Sequence, residues 1–258
     1  MSDTHALGSP LRHAFAAART IVLTPHLHFP HHHPAMLAAH VRFIKAIQPD
    51  LVLNLGGLCD LALPPGCDDS DQTEIMVERA DAVKRDYFAA VRSGFDGDFW
   101  VYDCDTNQDD QHVCRCGPGP AGPSLFDFDG FGVHRVGPDS ILTPEWSVTH
   151  THRDMKNRLV AGGTAIALAR RSDRHTLCAH THRLGICFET TDTGPRARTL
   201  MGVEVGHMVD EKQLQPSPGY ARPQAGFGIL ESSGDRLVPV TIPMQRSGGF
   251  VYNGERFT

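Results

Sequence analysis

Four of the chain's sixteen histidines fall in two short phrases, and each phrase closes a run that reads as a β-strand. His26-Leu27-His28 follows Thr20 to Pro25, and His180-Thr181-His182 follows His175 to Ala179. A His-x-His pair at the mouth of a strand aims two imidazoles at one loop-built pocket, and imidazole is the commonest protein ligand for a transition metal. A single pair in a His-rich chain reads as surface; two pairs at matching strand ends point to a metal site. The tract His31-His32-His33 lies between Pro30 and Pro34 and reads instead as solvated loop. His207, between Gly206 and Asp210, reads first as part of a turn with a core hydrogen bond rather than as a ligand. There is no Gly-x-Ser-x-Gly elbow and no P-loop, so serine-hydrolase and nucleoside-triphosphatase chemistry has no support.

The elements that must position these histidines follow from periodicity. Ile21 to Thr24 is a short apolar, β-branched run. Pro34 then opens a helix, with Met36, Leu37, His40, Val41, Ile44 and Ile47 at helical spacing up to Pro49. Leu51 to Leu55 reads as a strand covered on both faces. Gly56 to Asp71 is a loop, Glu74 to Val91 a helix, and Phe99 to Tyr102 a third strand. This alternation implies a largely parallel sheet with helices packed on it. Between Gln108 and Gly130 breaker residues dominate, which marks a loop insertion. Strands resume at Gly132–Val136 and Glu145–Thr149, and a helix at Gly163–Arg171 precedes the strand that delivers His180. Further strands are expected at Ile186–Thr190, Thr199–Val203, Gly226–Glu231, Leu237–Ile242 and Phe250–Tyr252. The expectation is a two-sheet α/β sandwich with every ligand on a loop at a strand's C-terminal end, where α/β sheets place their sites. Residues 1–19 form an N-terminal extension and residues 20–258 one domain, with 108–130 as the insertion.

Composition narrows the partners. With 258 residues, 40% hydrophobic and 21% charged, the chain can bury a full core. A net charge of −6 and the lack of a Lys/Arg run argue against tight, sequence-independent binding of nucleic acid, though nucleic acid remains possible as a substrate. No apolar stretch reaches the about 18 residues of a membrane span. Seven cysteines form no secreted framework, and no secretory signal is evident, so a reducing cytoplasm is expected.

The order of features resembles the calcineurin-like metallophosphoesterases, whose motifs are Asp-x-His, Gly-Asp-x-x-Asp, Gly-Asn-His-Asp/Glu, His-Gly and Gly-His-x-His. The resemblance runs from about Thr20 to Phe257 and is nearest the phage and bacterial subgroup. It is carried by Ala179-His-Thr-His-Arg-Leu-Gly185, Met201-Gly-Val-Glu-Val-Gly-His-Met-Val-Asp210, and the tail Gly219 to Gly228 and Gly249 to Gly254. It implies a four-layer α/β/β/α fold, two metal ions sharing a bridging aspartate, and hydrolysis of phosphate mono- or diesters.

Nearly every motif is altered. The aspartate of the first becomes His26, and the bridging carboxylate of the second becomes Gly57, while Asp60 is kept in a supporting role. In the third, one register puts Asp105 at the metal-binding position and Thr106 at the family's catalytic histidine; Asp103 or Asn107 is the ligand in others. His150 keeps the fourth motif's histidine, and His180 and His182 keep both of the fifth. Two ligand sets follow from the resemblance: His26, His28 and His182, suited to zinc with an open fourth position, and Asp105, His150 and His180. Arg183 would meet a phosphate oxygen or form a structural ion pair.

Two divalent cations at about 3.5–4 Å need a bridging anion between them. Gly57 offers none, so one ion is favoured over two, drawn from Zn, Mn, Fe or Ni. Restoring a carboxylate with Gly57→Asp, alone or with His26→Asp, is expected to raise metal uptake. Thr106 cannot protonate a leaving group as an imidazolium does, so catalysis is expected to be weak. The expected substrate is a small-molecule or nucleic-acid-derived phosphate ester. A non-catalytic binding module in the old pocket, and a mononuclear zinc hydrolase or hydratase, are the alternative readings.

Overall fold

The computed structural model describes residues 10–60, 69–102, 125–136, 140–149, 160–213, 222–234 and 236–258. Its elements run α1 (Pro10–Ala17), β1 (Thr20–Thr24), α2 (Pro34–Ile47), β2 (Leu51–Asn54), α3 (Asp69–Val83), a π-helical turn (Lys84–Phe88), α4 (Ala89–Arg92) and β3 (Asp98–Tyr102). They continue with β4 (His134–Val136), β5 (Ser140–Ile141), β6 (Trp146–Val148), α5 (Gly163–Ser172), β7 (His175–Cys178), β8 (Leu184–Thr191) and β9 (Arg198–Val205). The last are β10 (Gly226–Ser233), β11 (Arg236–Pro243), β12 (Phe250–Tyr252) and β13 (Glu255–Phe257).

Two sheets face one another. The first has the order β11-β10-β1-β2-β3-β4, the second β5-β6-β7-β9-β8. β1 to β4 are parallel, as are β6, β7 and β9; β10 joins β1 antiparallel. Side-chain alternation divides the core in two. Ile21, Leu23, Leu51, Leu53, Trp100 and Tyr102 point inward, to Trp146, Val148, Leu177, Val203 and Val205 of the second sheet. Val22, Val52, Phe99 and Val101 point outward, to α2, α3 and the π-turn. On the far side, Ile166 and Ala169 of α5 pack on Leu200. That is the four-layer α/β/β/α sandwich the resemblance implies. Complete burial of Ile21, Val22 and Leu23 contributes roughly 1.5–3 kcal/mol per side chain, which fixes the strand that carries the first His-x-His.

Two segments, one ahead of β1 and one between β3 and β4, join the core. α1 buries Leu11 and Phe15 between the sheets, with Phe15 against Trp146. Of residues 108–130, the described part from Leu125 onward turns Phe126 and Phe128 inward. The helix expected over Glu74–Val91 spans Asp69–Arg92, with the π-turn inside it. Within that turn the neighbours Tyr87 and Phe88 both meet Phe99, with ring centres 5.4 and 5.7 Å away. A glycine is needed where α5 meets β9: a Cβ on Gly202 would lie 2.0 Å from the Ile166 nitrogen. Among the described residues, no helix is long and apolar enough to cross a membrane.

Candidate metal centre

The loops after β1 and β2 are tied together by their backbones. The Leu27 and His28 N–H groups both donate to the Gly57 carbonyl, at 3.0 and 2.8 Å, and Phe29 N–H donates to Leu58 O. A third segment, His207 to Val209, runs alongside: His26 bridges to His207 and His32 to Val209. On the second sheet, the loop after β7 is held by His182 N–H to Ala179 O at 3.0 Å and by Gln224 N–H to His182 O at 2.8 Å. His28 and His182 both adopt left-handed backbone, with φ of +53° and +54°. That conformation is costly for non-glycine residues, and it concentrates where a side chain must be re-aimed at a site.

The result is convergence. His26 Nδ1 lies 3.1 Å from His28 Nε2 and 3.1 Å from His182 Nε2, although His26 and His182 are 156 positions apart. The three rings sit at nearly equal spacing: 5.2 Å for His26–His28, 5.1 Å for His26–His182 and 5.0 Å for His28–His182. Three imidazoles bound tetrahedrally to one zinc through bonds of about 2.05 Å would place their ring centres about 5.2 Å apart. The ring spacing of the donor set therefore fits a zinc-type ion, and one ligand atom from each ring lies within 4.8 Å of the other two. Burial holds the His28 imidazole down to about 4; Asp60 works against this shift and His31 with it. At neutral pH its nitrogen lone pair is available to an ion.

Around the trio, His180 stands outside the set, with its ring 6.1 Å from that of His26 and edge-on to it. Asp60 pairs with His31 at 3.5 Å, and its carbonyl accepts from Arg79. Arg183 is buried, 1% exposed, and its charge acts on Glu204. Asp105, Thr106 and His150, like the alternatives Asp103 and Asn107, lie outside the described residues.

Two expectations need correction. His31, His32 and His33 are not a solvated tract; all three are half-buried, each with its own contact. His31 meets Asp60, His32 stacks on Phe29 with ring centres 3.9 Å apart, and His33 caps α2 by accepting from Met36 N–H at 3.3 Å. Second, Gly57→Asp alone cannot simply restore a carboxylate. Gly57 has φ +63°, and a Cβ there would lie 2.5 Å from His26 Cγ. The histidine at 26 and the glycine at 57 are one exchange: the ring occupies the space that a side chain at 57 would need.

One residue set aside by sequence reasoning as a ligand, His207, stands beside the trio, and one, Glu204, escaped that reasoning. His207 is fully buried, its ring stacked on His182 at 5.4 Å and 29°. Val209 N–H donates to its Nδ1 at 3.1 Å, which leaves the His207 proton on Nε2. Only its place in a Gly-His-x-x-Asp phrase hinted at this. Glu204, 0% exposed, accepts from the Gly162 and Thr164 N–H groups at 2.9 and 3.1 Å and so caps α5 from a neighbouring strand. Burial pushes its carboxyl up, offset by the Gly162 N–H and by Arg183. A lone Glu in an apolar strand is the signal that was available.

No family model matches the chain. Two phage proteins are similar over most of their length. The Gene 54 protein of Mycobacterium phage D29 is 28% identical over 242 residues, covering 88% of this chain and 94% of that protein. The Gene 54 protein of Mycobacterium phage L5 is 26% identical over 242 residues, with the same coverage of 88% and 94%. Among solved structures, wild-type Vps29 from Entamoeba histolytica complexed with zinc matches at 13% identity and a TM-score of 0.44, covering 92% of this chain and 95% of that one. Vps29 from Chaetomium thermophilum matches at 13% identity and a TM-score of 0.41, covering 93% and 98%. Yfce, a phosphoesterase from E. coli, matches at 13% identity and a TM-score of 0.33, covering 86% and 98%. The four layers follow from this chain's own strand pairing and core packing.

Proposed function

We propose that this chain is a metal-dependent phosphoesterase for small-molecule or nucleic-acid-derived phosphate mono- or diesters, slowed by the changes at positions 26, 57 and 106. The observation that carries the reading is the meeting of His26, His28 and His182 from opposite sheets, with His26 Nδ1 3.1 Å from a ring nitrogen of each of the other two. The sequence supports it independently, through the ordered motifs that end in His180-Thr181-His182. An all-imidazole set favours zinc or nickel over magnesium or calcium, which prefer oxygen. A divalent ion held there supplies Lewis acidity toward a phosphoryl oxygen and toward water.

The chain's own residues set what else is possible. Burial keeps His28 neutral and able to bind, and the backbone-zipped loops hold the rings in place. Asp60 is locked by His31 and Arg79, which suits it to bracing the loop. With threonine at 106, leaving groups that need a proton are served badly and aryl oxides well.

The test is elemental analysis of the purified protein together with hydrolysis of matched aryl and alkyl phosphodiesters. The expected result is at least one transition-metal ion per chain, and an aryl ester cleaved far faster than an alkyl one. A protein that takes up no ion under saturating zinc or manganese would sink the reading. So would alkyl cleavage as fast as aryl. Tight metal with no turnover of any ester would reduce the site to a phosphate-binding pocket.

A further inference from the structure

We propose, on the reading that the His trio holds an ion, that Asn54 is a positioning residue of that centre. One buried side-chain amide locks the loops after β1 and β2 together and so sets where His26 and His28 stand. Asn54 supplies no ligand to the trio; it acts through the backbone of its neighbours.

Asn54 ends β2, pairs with Thr24 at the end of β1, and is fully buried. Its side chain reaches into both loops at once. Nδ2 donates to the Pro25 carbonyl at 3.4 Å, after β1, and Oδ1 accepts from the Gly56 N–H at 2.9 Å, after β2. Each arm stops one residue short of the site. Next to Pro25 is His26, and next to Gly56 is Gly57, over which the His26 ring packs. The Gly57 carbonyl in turn accepts from both the Leu27 and the His28 N–H groups. The β2 loop therefore positions two of the trio's three ligands while contributing none.

That loop needs holding. Gly56 and Gly57 have φ of +92° and +63°, and two glycines in succession give the turn no side chain of its own to restrain it. The two backbone groups are buried and of opposite kind, so the side chain that satisfies both must carry a donor and an acceptor, as an amide does. Leucine, of similar size, offers neither and leaves both groups unsatisfied. An ionised aspartate still accepts from Gly56 but turns an oxygen on the Pro25 carbonyl. Thr24 is the natural contrast. It stands beside Asn54 across the sheet and is equally buried, yet its hydroxyl meets His40 Nε2 of α2 rather than either loop. Losing that hydroxyl should weaken the core and leave the loops where they are.

Metal binding to the full chain tests this, with zinc affinity read by chelator competition and site geometry by the visible absorption of Co(II). The parent should give the intense Co(II) band of a tetrahedral ion. Asn54→Leu should bind zinc about tenfold more weakly, as when a group that orients metal ligands is removed, and its Co(II) band should fade. Asn54→Asp should fall between the two. Thr24→Val should keep the parent's band, and its affinity within a few-fold, even though it melts at a lower temperature. Circular dichroism establishes that each variant folds; if Asn54→Leu does not, the comparison of Asn54→Asp with Thr24→Val decides. Parent-like affinity and band in the Asn54 variant overturn the positioning role and leave the phosphoesterase reading intact. So does an equal loss of affinity in Thr24→Val. A parent that binds neither Zn(II) nor Co(II) overturns both.

Discussion

Five histidines fall between positions 26 and 33, yet they have two different fates. His26 and His28 meet a partner from the other sheet and offer three nitrogens to one point. The other three turn to separate contacts. His31 pairs with Asp60, His32 stacks on Phe29, and His33 caps α2. In sequence the second group looks more like a metal site. Density of a residue type says little; what matters is whether rigid elements bring the side chains to a common centre. The first group sits at the end of a buried strand, and the second belongs to the turn that starts a helix.

The sharpest way to break this contrast is to remove one member of the converging group. His182→Ala should lower zinc affinity roughly a hundredfold or more, measured by competition with a chromophoric chelator, because a three-ligand site becomes a two-ligand one. His31→Ala and His32→Ala should leave that affinity within a few-fold. Equal losses in both groups would erase the distinction.

Next in size is Gly57→Asp. Overlap with the His26 ring, together with the positive φ, should cost roughly 2–4 kcal/mol in denaturant unfolding. Adding His26→Ala to Gly57→Asp should recover at least half of it, since the ring is the obstacle. A single variant as stable as the parent would show that the two positions are independent.

A smaller effect concerns His40, a histidine in neither group, whose Nε2 lies 2.9 Å from Thr24 Oγ1 beneath β1. Burial lowers its imidazole to about 3, against 6.5 when exposed. Between those values the unfolded chain binds the proton and the folded one does not. Its contribution is therefore complete above pH 6.5 and drains away as pH falls toward 3. His40→Gln should flatten the pH dependence of metal-free stability in that window; an unchanged slope would assign acid sensitivity elsewhere. Smallest is His33→Ala, which should cost about 0.5–2 kcal/mol as a lost helix cap. Its metal content should not change.

Much of the frame was legible in the residues. Runs such as Ile21 to Thr24 and Leu51 to Leu55 carry enough apolar, β-branched character to mark central strands, and the His-x-His phrases mark their mouths. The convergence of His26, His28 and His182 followed from motif order. What stayed hidden depends on contacts rather than spacing. The π-turn has no periodic signature, and β5 and β13 are two or three residues long. The exclusion between Gly57 and His26 appears only when two loops are laid side by side, and the stack of His207 on His182 joins segments separated in sequence.

The position of β1 has a consequence for synthesis. It lies between β2, about thirty residues later, and β10, where Thr20 pairs with Glu231. A nascent chain can pair one side of β1 early, but the other side waits until some two hundred more residues have left the ribosome. Until then a largely apolar strand presents an open edge, the kind of surface that recruits other chains. A chain stopped short of Gly226 keeps that edge permanently, so the late hairpin of β10 and β11 acts as the seal on the first strand made.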